Sequence, residues 1–197
     1  SECLACQPAI LPDWAWGEGN YVQDGLAMGL RVGFVAGSDG HETPLGGLAP
    51  DHRDVFDPDD HGMMVWSGGI TAVWAPELTR DALFDALRSR RCYATTGARI
   101  LVELTVDGEP MGAELTLDGP PTFEIAVGGT AELGVLELVR YTASTGWTAP
   151  LNLDPEGEQF EATWIDDTLS GEAAIYYLRV IQEDGHHAWS SPVWLDP

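Results

Sequence analysis

Two side chains in the first half of the chain have the types and the spacing of metal ligands. Asp39 and His41 lie in the run 37–41, which reads Gly-Ser-Asp-Gly-His and follows an apolar stretch at residues 31–36. In an extended chain, residues two apart point to the same side, so the carboxylate and the imidazole would converge. This ligand pair suits Zn, Mn or Fe, and the glycines permit a sharp turn. The competing interpretation is a Ser-Asp-Gly turn with a surface histidine.

The segments around this motif predict an α/β arrangement. The run 31–36 is bounded by glycines and is typical of a buried parallel strand, as is the run 69–75. Two helices are predicted, over residues 21–28 and over residues 80–91, the second capped by Thr79. Two strands and two helices are too few to close a barrel, so we expect residues 1–98 to be a piece of a larger α/β domain.

The second half of the chain has a different pattern. From residue 100 onward, short strand-like runs alternate with turn signals such as Asp107-Gly108 and Asp184-Gly185. The predicted strands are 100–106, 113–117, 122–127, 133–141, 159–165, 174–182 and 187–194. This number of strands predicts an all-β sandwich of immunoglobulin-like size over residues 99–197.

The charge of the chain argues against two kinds of partner. The net charge is -23, and the nine basic residues are all arginine. A surface this acidic repels nucleic acid and anionic lipid. The chain contains no apolar run near the roughly 18 residues that a membrane-spanning helix needs. Three cysteines do not fix the compartment, and we favour a periplasmic or secreted location over a cytoplasmic one.

Several motifs together resemble the PHP superfamily, the polymerase and histidinol phosphatase type of metal-dependent hydrolases. The run 37–41 resembles the last metal-binding motif of that family. The resemblance continues through residues 68–75, 78–83 and 90–100, the last of which includes Tyr-Ala-Thr-Thr-Gly. It covers residues 20–106 well and the sandwich loosely.

The resemblance implies a distorted α/β barrel that holds two or three divalent metal ions (Zn, Mn or Fe), which activate water to hydrolyse a small anionic substrate such as a phosphoester. Asp39 and His41 would be the last ligands of that centre. The family's earlier ligands include an N-terminal His-x-His motif, and here no histidine precedes His41. We therefore expect a C-terminal fragment that is inactive unless the N-terminal part of its parent domain is supplied.

Two residues after the second helix are candidate substrate ligands. Thr96 offers a hydroxyl, and Arg99 offers a guanidinium that can pair with phosphate or carboxylate. The alternative is that this stretch is a structural joint between the two halves. His186 and His187 follow a predicted hairpin tip and are expected to be exposed turn residues.

A second function hypothesis concerns the sandwich alone. Eight tryptophans are compatible with a non-catalytic module that binds carbohydrate or protein, because sugars stack on exposed indoles. Core packing is the competing interpretation of these side chains. Two or more coplanar, exposed tryptophans on one face would favour carbohydrate binding.

Overall fold

The computed structural model describes residue 2 and residues 21–37, 69–169 and 171–197. Strands make up 47% of the described residues and helices 10%. The helices are α1 (Val22–Ala27) and α2 (Arg80–Arg88). The strands are β1 (Ile70–Val73), β2 (Cys92–Thr95), β3 (Leu101–Val106), β4 (Glu109–Pro110), β5 (Glu114–Thr116), β6 (Thr122–Gly128), β7 (Leu133–Thr142), β8 (Gly146–Leu153), β9 (Gln159–Ile165), β10 (Ala174–Gln182), β11 (His187–Ser190) and β12 (Val193–Asp196).

The strands form two sheets. The larger sheet has eight strands in the order β1-β2-β11-β10-β12-β5, with β7 on the other edge of β10 and β8 beside β7. The smaller sheet has the order β4-β3-β6-β9. Neighbouring strands are antiparallel, except for the parallel pair β12 and β5. Because β2 pairs with β11, the larger sheet contains strands from both sides of the boundary predicted near residue 98.

The main hydrophobic core lies between the two sheets. On β3, Val102 and Leu104 point inward and Glu103 points outward, which is the alternation of a strand with one buried face. Tyr176 and Leu178 of β10 fill the opposite side of the same core. The prediction of a β-sandwich is confirmed.

A second apolar cluster lies on the outer face of the larger sheet. Ile175 and Tyr177 alternate with the inward-facing residues of β10, so they point away from the main core. Leu26 of α1 and Phe34 cover them there. The centre of β10 is therefore buried on both faces, and α1 and residue 34 lie against the sandwich.

A buried polar cluster links the two sheets at one end of the core. The Asp166 carboxylate, just after β9, is fully buried and accepts hydrogen bonds from Arg140 (2.7 Å) and Tyr176 (2.7 Å). Its other oxygen accepts from the backbone and the hydroxyl of Thr168. Burial alone would raise the pKa of Asp166, but the bonds from Thr168 and Tyr176 and the charge of Arg140 hold that pKa below its usual range.

Several local predictions are confirmed. Thr79 caps α2, where its hydroxyl accepts from the backbone N–H of Ala82 at 3.3 Å. The turn between β3 and β4 contains Asp107 and Gly108, with φ of 50° and 84°. Two successive positive φ angles are the mark of the tight hairpin turn that an Asp-Gly pair favours.

Other predictions of secondary structure are wrong. Residues 31–37 form no strand, because they share no backbone ladder with any described strand. β1 is an edge strand, antiparallel to β2 and half-buried, where a buried parallel strand was expected. The run 187–194 is two strands, β11 and β12, because Pro192 has no N–H to continue a ladder.

The expected α/β barrel portion is also not found in the described residues, which are mostly β-sheet. The helices α1 and α2 have six and nine residues. Neither is long enough to cross a bilayer, and no other described segment forms a helix that could.

Candidate functional site

The predicted metal ligands Asp39 and His41 lie outside the described residues. The described chain reaches Gly37, two residues before Asp39. The described residues nearest to the motif are the segment 31–37, which leads into it. We call it the leading segment.

The backbone of the leading segment is held by two side chains of the larger sheet and its connections. Phe34 N–H donates to the hydroxyl of Ser191 at 2.8 Å. Ala36 N–H donates to the hydroxyl of Thr71 at 2.9 Å, and that hydroxyl donates back to the Ala36 carbonyl at 2.8 Å. The two amides are two residues apart and face the same side, as in extended chain. Side chains here replace the backbone partners of a sheet.

Side-chain packing also holds the leading segment against the larger sheet. Phe34 is nearly buried, and its ring meets the ring of Tyr177 edge-on at a centroid distance of 5.5 Å. Gly69 lies against the end of the segment. A Cβ at residue 69 would lie 2.7 Å from the Ala36 Cβ and 3.1 Å from the Gly37 carbonyl oxygen. Only a glycine at residue 69 allows the end of the leading segment to lie this close to the start of β1.

Ser191 bonds both to the leading segment and to β2. Its buried hydroxyl accepts from Phe34 and donates to the Cys92 carbonyl at 2.5 Å. The neighbouring Ser190 hydroxyl instead accepts from Leu178 N–H at 2.9 Å, inside the sandwich. The two adjacent serines therefore stabilise different regions: Ser190 holds the sheet together and Ser191 holds the leading segment to it.

Thr96 lies at the corner after β2. Its hydroxyl is 3.0 Å from His186 Nδ1 and accepts from His187 N–H at 2.9 Å. Arg99, three residues further along the chain, has an exposed side chain. Tyr93 and Thr95 of β2 are buried, and β2 pairs with both β1 and β11. Through β2, this corner joins β1 to the strands of the sandwich. The role of Thr96 and Arg99 in substrate binding stays a prediction.

The sequence contains the tripeptide Asp-Gly-His twice, and one copy is described. Asp184 accepts from the N–H of His186 at 3.1 Å and from the Gln182 side chain at 3.0 Å. His186 is half-buried, against the expectation of exposure, because it packs at the Thr96 corner. Burial lowers the pKa of the neighbouring His187 imidazole. This copy forms a hairpin turn, and its Asp184 and His186 offer a matched control for substitutions of Asp39 and His41.

A second polar cluster, on the outer face of the larger sheet, has no signal in the sequence. The Glu2 carboxylate accepts from Arg179 (2.9 Å), from the Trp189 indole (2.8 Å) and from the Tyr177 hydroxyl. Arg179 also pairs with Glu137 of β7. Burial, and then the Glu2 charge, raise the pKa of Tyr177. The cluster ties Glu2 to the outer face of the larger sheet.

The described residues hold neither a cluster of metal-binding side chains nor a pair of exposed tryptophans. In the described part of the chain, no three His, Cys, Asp or Glu side chains are placed to hold a metal ion. Trp74 is the one exposed tryptophan of the five described; Trp194 is buried and the others are half-buried. The coplanar exposed pair that would favour carbohydrate binding is not present among these five.

Comparison with known proteins places the leading segment at the start of a family match. Residues 33–116 match DUF3604, a protein family of unknown function. A protein of Chlamydia muridarum is 38% identical over 184 residues, and a protein of Chlamydia trachomatis is 36% identical over 193 residues. These alignments cover 87% and 89% of this chain but 28% of each relative. Both relatives are uncharacterised, and the chain spans little more than a quarter of their length.

A solved structure of an engineered protein is similar over 49% of this chain and 20% of its own, with 18% identity and a TM-score of 0.31. A score this low carries no argument about fold. The expected membership of the PHP superfamily is wrong: the family matched is DUF3604, and the described residues are mostly β-sheet, with 10% helix. The short apolar runs that resembled barrel strands belong to an antiparallel sheet or to no sheet at all.

Proposed function

We propose that this chain is the supporting part of a metal-dependent hydrolase. In this proposal the sandwich carries no chemistry of its own. It holds the leading segment in a fixed path, and that segment carries Asp39 and His41 to a metal centre completed by residues elsewhere in a longer protein.

The observation that carries the proposal is the anchoring of residues 34 and 36. Two side-chain hydroxyls fix two alternate amides within 2.8 to 2.9 Å, and an aromatic contact fixes the Phe34 side chain on the sheet. A metal ligand needs this kind of support, because its position must be held to within a fraction of an ångström. Gly37 comes directly after the anchored residues, and Asp39 is two residues further on.

The chemistry of the two side chains supports a divalent transition metal. A carboxylate supplies a hard oxygen, and a neutral imidazole supplies a borderline nitrogen, the donors that Zn, Mn and Fe accept. When bound, such an ion lowers the pKa of a coordinated water and so provides a nucleophile for hydrolysis. Two ligands do not make a catalytic centre, so the remaining ligands must come from outside this pair.

The lengths of the relatives support a shared site. The matched region is 28% of each Chlamydia relative, so most of each relative lies outside it. A small anionic substrate, such as a phosphoester, would bind between the parts. Thr96 and Arg99 are candidates for that contact.

The test is elemental analysis of the protein at full length, with a phosphomonoester and phosphodiester assay on the same sample. We expect the double variant Asp39→Ala, His41→Ala to lose bound Zn, Mn or Fe and hydrolytic activity while the circular dichroism of the sheet is unchanged. The matched control is Asp184→Ala with His186→Ala, which removes the same residue types from the hairpin turn and should retain metal. Unchanged metal content in the first variant would overturn the ligand assignment.

A further inference from the structure

Exposed large apolar side chains are concentrated in one part of the chain. Residues 22–101 contribute ten of them among the described residues, and residues 102–197 contribute only Ile165. The ten are Val22, Met28, Leu30, Val32, Val35, Trp74, Leu78, Phe84, Leu87 and Leu101. Scattered exposed apolar residues are ordinary, whereas neighbouring ones mark a surface that another part of the protein covers, and two of the ten, Val32 and Val35, lie close together in the leading segment.

The leading segment shows this most clearly. Its sequence has the apolar pattern of a strand that is buried on both faces. In the structure, Phe34 packs on the sheet, while Val32 and Val35 are 45% and 63% exposed. In extended chain Val32 lies on the same side as Phe34 and Val35 lies on the opposite side, so the segment leaves an apolar side chain exposed on each face.

Its backbone is also used on one side only. The amides of Phe34 and Ala36 are bonded to Ser191 and Thr71. In extended chain the amides and carbonyls of Gly33 and Val35 point the opposite way, and they have no partner among the described residues. A row of unpaired backbone groups beside exposed apolar side chains is the edge to which a further strand adds.

We propose that residues 31–37 dock against a β-strand from another region of a longer protein. The incoming strand pairs with the backbone of Gly33 and Val35 and buries Val32 and Val35. The relatives, of which this chain matches 28%, are long enough to supply it. A second copy of this chain is a poorer occupant, because two molecules of charge -23 repel each other. The proposal goes beyond the metal centre and does not depend on it.

The test is residue-resolved amide hydrogen exchange on two samples: the 197-residue chain and the full-length Chlamydia muridarum relative. In the isolated chain we expect Phe34 and Ala36 to exchange slowly and Gly33 and Val35 to exchange at least about tenfold faster. In the longer protein all four aligned positions should be slow. Fast exchange at the positions aligned with Gly33 and Val35 in the longer protein would overturn the proposal.

Two controls distinguish strand docking from dimerisation and from a general loss of stability. If sedimentation shows the isolated chain to be a dimer in which Gly33 and Val35 are already protected, the occupant is a second copy and the proposal fails. Serine substitutions at the positions aligned with Val35 and with Ile165 complete the test in the longer protein. The first should lower Tm or soluble yield and the second should not, whereas equal effects would contradict docking at the leading segment.

Discussion

The sandwich and the polypeptide that precedes it are stabilised in different ways. The sandwich buries its apolar side chains between two sheets and contains a buried ion pair, in which the Asp166 carboxylate accepts hydrogen bonds from Arg140, Tyr176 and Thr168. The leading segment is held by two hydroxyls, by the contact of Phe34 with Tyr177 and by an exposed ion pair of Arg31 with Glu114, and the backbone groups of Gly33 and Val35 have no partner among the described residues. This difference is the basis of our proposal that the leading segment is one side of an interface.

The largest effect is expected from the buried ion pair. Asp166→Asn removes the charge that balances Arg140, and breaking a buried pair on one side costs about 3 kcal/mol of unfolding free energy. The control is Asp167→Asn, which makes the same change at the exposed neighbouring position and should alter stability by less than about 0.5 kcal/mol. Urea denaturation measures both. Equal losses for the two variants would show that the cluster does not stabilise the sandwich.

Acid should weaken the sandwich through the same residue. The pKa of Asp166 is lower in the folded protein than in the unfolded chain, so its contribution is present above the unfolded pKa, near 4, and is lost as the pH falls through the folded pKa. We expect Asp166→Asn to flatten the fall of the unfolding free energy between about pH 5 and pH 2. Urea midpoints across this range measure the slope. Parallel curves for the two proteins would contradict the assignment.

The two adjacent serines offer a direct contrast between the regions. Ser190→Ala leaves Leu178 N–H unpaired in the middle of the sandwich and should lower the unfolding free energy by about 2 kcal/mol. Ser191→Ala releases Phe34, whose amide can turn to water when the leading segment detaches. We expect its main effect to be about tenfold faster exchange at Phe34, with a global loss of about 1 kcal/mol. Identical behaviour of the two variants would remove the distinction between the regions.

The smallest effect is expected on α2. Phe84 is exposed on that helix, so Phe84→Ser should change the unfolding free energy of the 197-residue chain by no more than about 0.5 kcal/mol. Thermal denaturation checks this. A loss of about 2 kcal/mol or more would mean that α2 is already covered in this chain and that the exposed apolar surface is smaller than described.

The sequence predicted the sandwich better than the part before it, for a physical reason. Strands such as β3 have one face in the core and one in water, so the alternation of apolar and polar residues predicts both the strand and its buried face. β2 is short and buried throughout, and β8 contains Pro150, so neither shows that alternation. β8 tolerates its proline because it is an edge strand that pairs only with β7 among the described strands.

The leading segment shows which structural features a hydrophobic pattern does not predict. Its run of apolar residues indicates that both faces are apolar, but not which part of a protein covers each face. Asp39 and His41 were predicted from their types and spacing and from a family resemblance that is wrong, and they stay predictions. The anchoring hydroxyls of Ser191 and Thr71 could not be found from the sequence, because they lie 157 and 35 residues from the backbone groups that they bind.

The most direct test of the central claim is amide exchange at the leading segment of the 197-residue chain, with Phe34 and Ala36 compared with Gly33 and Val35. In our account the sandwich anchors alternate residues of this segment. The amides of Phe34 and Ala36 should therefore be protected, and those of Gly33 and Val35 should exchange at least about tenfold faster. If all four exchange together at the rate of an unstructured chain, the sandwich does not position this segment, and support for Asp39 and His41 must come from elsewhere.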